Sequence, residues 1–221
     1  MLFYDANVAS PNPATVRLFI LERGHLDLDV QSVDIINLEN RAKTYRETVN
    51  SRGELPALRL DNGQVITEIT AICRYLDEVA KGGRSLFGAT AEERAITDMW
   101  TRRVYLEIIA PFVAHWRGTE DAVNFYRGNR LPMPEAKLAN RLEAERGFNQ
   151  LEDDMDGKTY ICGDEVTMAD ILLYAFMFTM RQALPWLNVP GRKDLAAWFE
   201  KMSARPAAKL IEQSLPTHIA A

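Results

Sequence analysis

The stretch PALRLDNGQVIT, residues 56–67, constrains the fold more tightly than any other part of this chain. Two short apolar runs flank an Asn62-Gly63 pair. That pair supplies the positive φ angles of a tight turn, so the spacing predicts a type I′ β-hairpin. Upstream, strand and helix signals alternate. Leu2–Tyr4 forms a first strand, and residues 14–24 place Val16, Phe19, Ile20 and Arg23 three and four apart before stopping at Gly24. Glycine suits the position after a helix. Residues 28–35 (LDVQSVDI) form a second strand, 41–49 a short polar helix, and 68–80 a helix with Ile69, Ile72, Tyr75, Leu76 and Val79 on one face. The order is β-α-β-α-β-β-α. Strand, crossover helix and strand imply parallel pairing, and the hairpin adds an antiparallel edge. The first 80 residues therefore build a mixed sheet with helices on its faces.

From residue 91 onward no strand signal appears. KGGRSLFGAT, residues 81–90, breaks the periodicity as a linker does. Ile96, Trp100, Val104, Ile108, Phe112 and Trp116 then recur every four residues and predict one long helix. Further helices are expected over 135–155, 168–184, 194–204 and 206–214. The 168–184 helix is apolar on all sides, which places it at the centre of a bundle. Its start carries Thr167 and, three residues on, Asp170: a capping box with Asp in place of Glu, flanked by Val166 and Ile171 as a hydrophobic staple. These residues are assigned to folding. The fold class is thus an α/β unit followed by an all-α bundle.

A net charge of −5 argues against general affinity for nucleic-acid phosphates, which needs a concentrated basic face. The first ten residues lack a secretory pattern, and no run of eighteen apolar residues offers a membrane span. Cys73 and Cys162 are far apart within apolar patterns, as reduced core thiols are, so the expected location is cytoplasmic. Three histidines and two cysteines are too scattered for a metal set, and no glycine-rich phosphate loop is present.

GELPALRLDNGQVITEITAICRYLDE, residues 53–78, resembles the glutathione-binding core of the cytosolic glutathione transferases. Their pattern is Gly-x-Val/Leu-Pro-x-Leu, a hairpin, then Glu-Ser-x-Ala-Ile-x-x-Tyr-Leu. GDEVTMADI, residues 163–171, resembles the capping box of their central bundle helix. The resemblance runs nearly end to end. Within the family the chain is most similar to a bacterial and fungal branch that begins Tyr-Asp…Pro-x-Pro-x-x-Val-Arg, here Tyr4 to Arg17. The resemblance implies a thioredoxin-like domain over 1–80, a linker over 81–90 and a helical domain over 91–221 that contributes a hydrophobic substrate pocket. It implies glutathione as cosubstrate, a homodimer, a detoxifying transferase activity, no metal, and a cis bond before Pro56.

Residue by residue, the resemblance places the α-carboxylate and α-amino group of glutathione at Thr67, Glu68 and Ile69, where a helix start offers free N–H groups and a positive dipole end. Glu68 equally suits a first helical turn with no ligand. Ile69 stands where the family has Ser or Thr, which removes one hydroxyl donor; Thr67 or Thr70 could supply it. Leu55 and Pro56 would meet the cysteinyl backbone. Asn40, Arg41 and Lys43 would meet the glycyl carboxylate, or form a solvated face. Ser10 has two readings. It is a preferred N-cap ahead of Pro11, and it also occupies the place of the family's thiol-activating residue, with Asn12 as a second donor. Val8, Ala9, Tyr105, Phe112, His115, Trp116, Phe176 and Met180 are candidates for the electrophile pocket, and Tyr4 is expected to be packed. The expected reaction is attack of glutathione thiolate on a small hydrophobic electrophile. Peroxidase, ether-cleaving, isomerase or dehalogenase chemistry on the same fold is the alternative, as is a non-enzymatic binding module.

Overall fold

The computed structural model describes all 221 residues. The chain forms two compact units, Met1–Arg94 together with Ser203–Ala221, and Ala95–Met202. This differs from the expected division, which assigns residues 91–221 to the helical domain.

In the first unit the elements are β1 (Leu2–Ala6), α1 (Pro11–Arg23), β2 (Leu28–Val33), α2 (Lys43–Thr48), β3 (Ala57–Arg59), β4 (Val65–Thr67) and α3 (Ile69–Val79). The strand order is β4-β3-β1-β2-β5, where β5 (His218–Ile219) comes from the C-terminus. β1 and β2 are parallel, with Ala6 opposite Val33, and β3 runs antiparallel to β1, with Ala57 opposite Tyr4. Alternation along β1 sends Tyr4 and Ala6 to one face, where they join Tyr45, Val33, Leu55 and Ala57 in a core cluster. Phe3 and Asp5 point to the other face. Tyr4 is packed as expected, edge-on to Tyr45 with ring centroids 6.1 Å apart.

The hairpin forms, but not with a type I′ turn. Gly63 has φ 84, whereas Asn62 is not among the residues with positive φ. The Gly63 N–H donates to Leu60 O (3.0 Å) and the Leu60 N–H to Gln64 O (2.8 Å), which makes a three-residue loop with glycine in the left-handed position. The helix expected over 206–214 is a single 3₁₀ turn at Ala208–Leu210. Tertiary demands override its propensity: Ala207, Ala208 and Ile211 are buried, and the Ile211 carbonyl accepts from Arg17 Nη1 at 2.9 Å. The chain then pairs β5 with the outer edge of β2.

The second unit contains most of α4 (Ala91–Arg103), then α5 (Ala110–Arg117), α6 (Glu120–Tyr126), α7 (Lys137–Asp154), α8 (Met168–Met180) and all but the last residue of α9 (Lys193–Ser203). The long helix expected across 96–116 is present, but a π turn at Val104–Ile109 widens it between α4 and α5. Pro111 has no N–H to give the Glu107 carbonyl four residues back, so the regular ladder cannot continue there. Against this turn lies Gly147 of α7, where a Cβ would sit 2.1 Å from Glu107 O. α8 is buried almost throughout. It ends at Met180 rather than 184, since Pro185 disfavours helical geometry at Leu184. Asp170 carries more than its capping box. Its carboxylate accepts from Thr167 N–H and Oγ1, from the Ile161 N–H and from Trp198 Nε1, all at 2.9 Å. Burial raises its pKa.

Candidate active site

Strand register gathers the candidate residues of the first unit at one end of the sheet. β1 ends at Ala6 and feeds the loop to Ser10, while β2 ends beside it at Val33 and feeds residues 34–43. β3 starts at Ala57, opposite Tyr4, so Leu55 and Pro56 lie at the same end. β4 finishes there too, with Thr67 opposite Ala57. Ligands of open α/β sheets bind outside such strand ends, where helices begin.

Ser10 has extended backbone angles (φ −90, ψ 143), stands directly before α1 and makes no side-chain capping bond. Its position is that of an N-cap, but its hydroxyl does not serve as one. The helix start is also short of donors. Pro11 and Pro13 have no N–H, the Ser10 N–H is spent on Val8 O, and the Ala14 N–H closes the first helical bond to Ser10 O. The N–H of Asn12 is therefore the one orphan donor of the first turn. A half-buried hydroxyl and this N–H thus meet the positive end of a thirteen-residue helix.

At the neighbouring corner, Glu68 adopts φ 71, ψ 128 immediately before α3, whose start no side chain caps. A non-glycine residue held at such angles costs about 1–3 kcal/mol and commonly marks a functional site. Glu68 is exposed, and Thr67 and Ile69 are half-buried. The Leu55–Pro56 bond is cis, and Leu55 lies outside the ladder, which starts at Ala57.

The third group is only partly available. Asn40 is buried and its Nδ2 donates to Gly53 O at 2.7 Å, while its Oδ1 has no partner. Arg41 Nη1 donates to Arg52 O at 3.0 Å, and Lys43 is exposed, 3.8 Å from Glu47. Tyr45 Oη and Asn50 Nδ2 both donate to Glu54 O. These bonds brace the segment that delivers Leu55. Gly53 is required there: its φ is 64, and a Cβ would come within 2.9 Å of Asn40 O.

Residues 9–79 match the family description "Glutathione S-transferase, N-terminal domain", and residues 119–206 match "Glutathione S-transferase, C-terminal domain". The chain is 32% identical over 216 residues to "Glutathione S-transferase 2" of Saccharomyces cerevisiae, covering 95% of this chain and 88% of that one. It is 29% identical to "Glutathione S-transferase GstA" of Escherichia coli O157:H7 over 81% of this chain and 83% of the relative. A solved glutathione S-transferase domain-containing protein from Marinobacter aquaeolei superposes with a TM-score of 0.83 at 29% identity, covering 94% and 100% of the two chains. The chain belongs to the glutathione S-transferase family. Glutathione is the substrate of this family, and the thioredoxin-like fold with a helical C-terminal domain is the fold of its members.

The electrophile-pocket candidates of this transferase divide in two. Phe112 and Phe176 are buried against each other, with ring centroids 6.1 Å apart, and Met180 is buried near the end of α8. His115 is buried as well. Its Nδ1 is 2.9 Å from Lys137 O, so that nitrogen carries the proton, and its ring meets Trp186 edge-on at 5.4 Å. These four are packing residues of the helical unit. Tyr105 is exposed on the π turn, and half-buried Trp116 packs with Phe125 and Tyr126. In the first unit Val8 is exposed and Ala9 half-buried. No group of three or more His, Cys, Asp or Glu side chains is placed to hold a metal ion, and no helix is long and apolar enough to cross a membrane.

Asn7 has no motif that marks it in the sequence, yet its Nδ2 donates to Asp34 Oδ1 (3.0 Å) and its Oδ1 accepts from the Ile35 N–H (3.1 Å). This ties the Ser10 loop to the segment leading to Asn40. Asp5 and Arg17 stand in the sequence only as part of the Tyr-Asp…Val-Arg signature, with no role marked for either.

Proposed function

We propose that this chain binds glutathione at the strand-end site of its first unit and stabilises its thiolate for attack on a small hydrophobic electrophile. The observation that carries this reading is the Ser10 hydroxyl, placed at a helix start and left out of the helix cap. A free thiol titrates near 8.5 and only the thiolate is strongly nucleophilic. Moving that value down two units takes about 2.7 kcal/mol in favour of the anion. A charge-assisted hydrogen bond from Ser10, the Asn12 N–H and the α1 dipole together have that size. The proton leaves to water. Sulfur then forms its bond to the electrophilic carbon, and the bonding pair departs with the leaving group. Glu68 pairs with the α-amino group, the uncapped start of α3 receives the α-carboxylate, and the Leu55 backbone aligns the cysteinyl unit. Val8 and Ala9, just ahead of Ser10, supply apolar surface for the electrophile. The working form is a cytoplasmic homodimer that needs no metal.

Calorimetric titration with glutathione, followed by ultraviolet absorbance of the bound thiolate across pH, tests this directly. Binding in the millimolar range or tighter, with the thiol titrating below about pH 7, is the expected result. A protein that binds no glutathione, or binds it with an unshifted thiol, defeats the proposal.

A further inference from the structure

Behind the β1–α1 corner lies a buried ion pair that thiol activation itself does not use. Arg17 Nε and Nη2 both contact Asp5 Oδ2, at 2.9 and 2.8 Å, and both side chains are almost wholly buried. Nη2 also donates to Ala6 O at 2.8 Å and Nη1 to Ile211 O at 2.9 Å. The other Asp5 oxygen accepts the Ala6 N–H at 2.9 Å. One guanidinium thereby joins the end of β1, the second turn of α1 and the returning C-terminal segment.

The placement relative to Ser10 is specific. Asp5 and Ala6 directly precede the loop Asn7–Ser10. Arg17 lies seven residues beyond Ser10, two helical turns along the same face. Both ends of that short loop are therefore fastened to the same side chain. Burial raises the Asp5 carboxyl to about 6 against the opposing pull of Arg17, the charged group that faces it. Replacing a buried ion pair by apolar side chains of similar bulk is often neutral for folding.

We propose that Arg17, oriented by Asp5, is a positioning residue that fixes the β1–α1 corner and so holds the Ser10 hydroxyl on the glutathione sulfur. This rests on the reading of Ser10 as the thiolate donor. Two variants separate positioning from folding. Asp5→Leu/Arg17→Met removes both charges while keeping apolar bulk. Arg17→Lys keeps the charge but cannot bond Asp5, Ala6 O and Ile211 O together. In both, the expected result at about pH 6, where bound glutathione is largely a neutral thiol, is a Kd within about two-fold of wild type. The turnover number falls about ten-fold or more, and the bound thiol titrates about one pH unit higher. The double variant melts no lower than wild type. Wild-type turnover and thiol titration in either variant overturn the proposal; if the double variant does not fold, Arg17→Lys decides. A wild-type protein without glutathione binding defeats the functional reading itself, whereas an active Arg17→Lys defeats only the positioning role.

Discussion

In the proposed glutathione site, Glu68 is the residue that sets stability against function. Its positive φ is strained for any side chain with a Cβ. Glu68→Gly relieves that strain and loses part of the gain to the freer unfolded chain. The expected net effect is about 1 kcal/mol of added stability, together with weaker glutathione binding as the carboxylate partner disappears. A thermal melt and a calorimetric titration on the same preparation check both halves; a variant that binds as tightly as wild type removes Glu68 from the site. Ser10→Ala should behave in the opposite sense. Turnover falls about ten-fold or more, yet stability changes by less than the roughly 1 kcal/mol of an ordinary cap loss, because the hydroxyl makes no capping bond. Unchanged turnover would leave the Asn12 N–H and the helix dipole as the activating groups. The places of Ser10 and Glu68 were legible in short motifs. Their states were not, since a missing capping bond and a strained φ are imposed by the surrounding fold.

Elements were legible where their signals are local. α1 ends where Gly24 follows it, α3 shows its apolar face, and α8 starts at Thr167 and Asp170. Elements made by distant partners were not. β5 is two residues long and exists because the β2 edge is there to pair with. The π turn needs Pro111 and the facing surface of α7. Gly147 looks in sequence like a weak point in a helix, worth about 1 kcal/mol against Ala. In the structure the sign reverses. A Cβ would lie 2.1 Å from Glu107 O and 3.0 Å from Ile108 Cγ1, and the first of these is backbone that cannot turn aside. Gly147→Ala should therefore destabilise by about 3 kcal/mol, measured by denaturant unfolding. A neutral or stabilising result would mean that α7 and the π turn do not approach so closely.

At the scale of the whole molecule the carboxylates pull stability in opposite directions as pH changes. Asp27 is lowered by its hydrogen bond with Lys81, Asp34 by hydrogen bonds from Asn37, and Glu93 by the Ala89 and Thr90 N–H groups. Each binds a proton less readily when folded, so its contribution is present above the ordinary carboxylate range and lost as pH falls through it. Asp5 has the opposite sign. Burial lifts it from 3.8 to about 6. Its contribution is complete below the unfolded value and is lost as pH rises through about 6, an effect of at most about 3 kcal/mol. Asp170 is also raised by burial, but it is common to wild type and the Asp5→Leu/Arg17→Met variant and cancels between them. The stability of wild type minus that of the variant should then decline between about pH 4 and 6 and stay level from 7 to 8. Urea unfolding of both proteins across that range measures the difference. A flat difference would mean that Asp5 does not titrate there, and the buried charge that braces the Ser10 corner would then cost the fold nothing as pH rises toward neutrality.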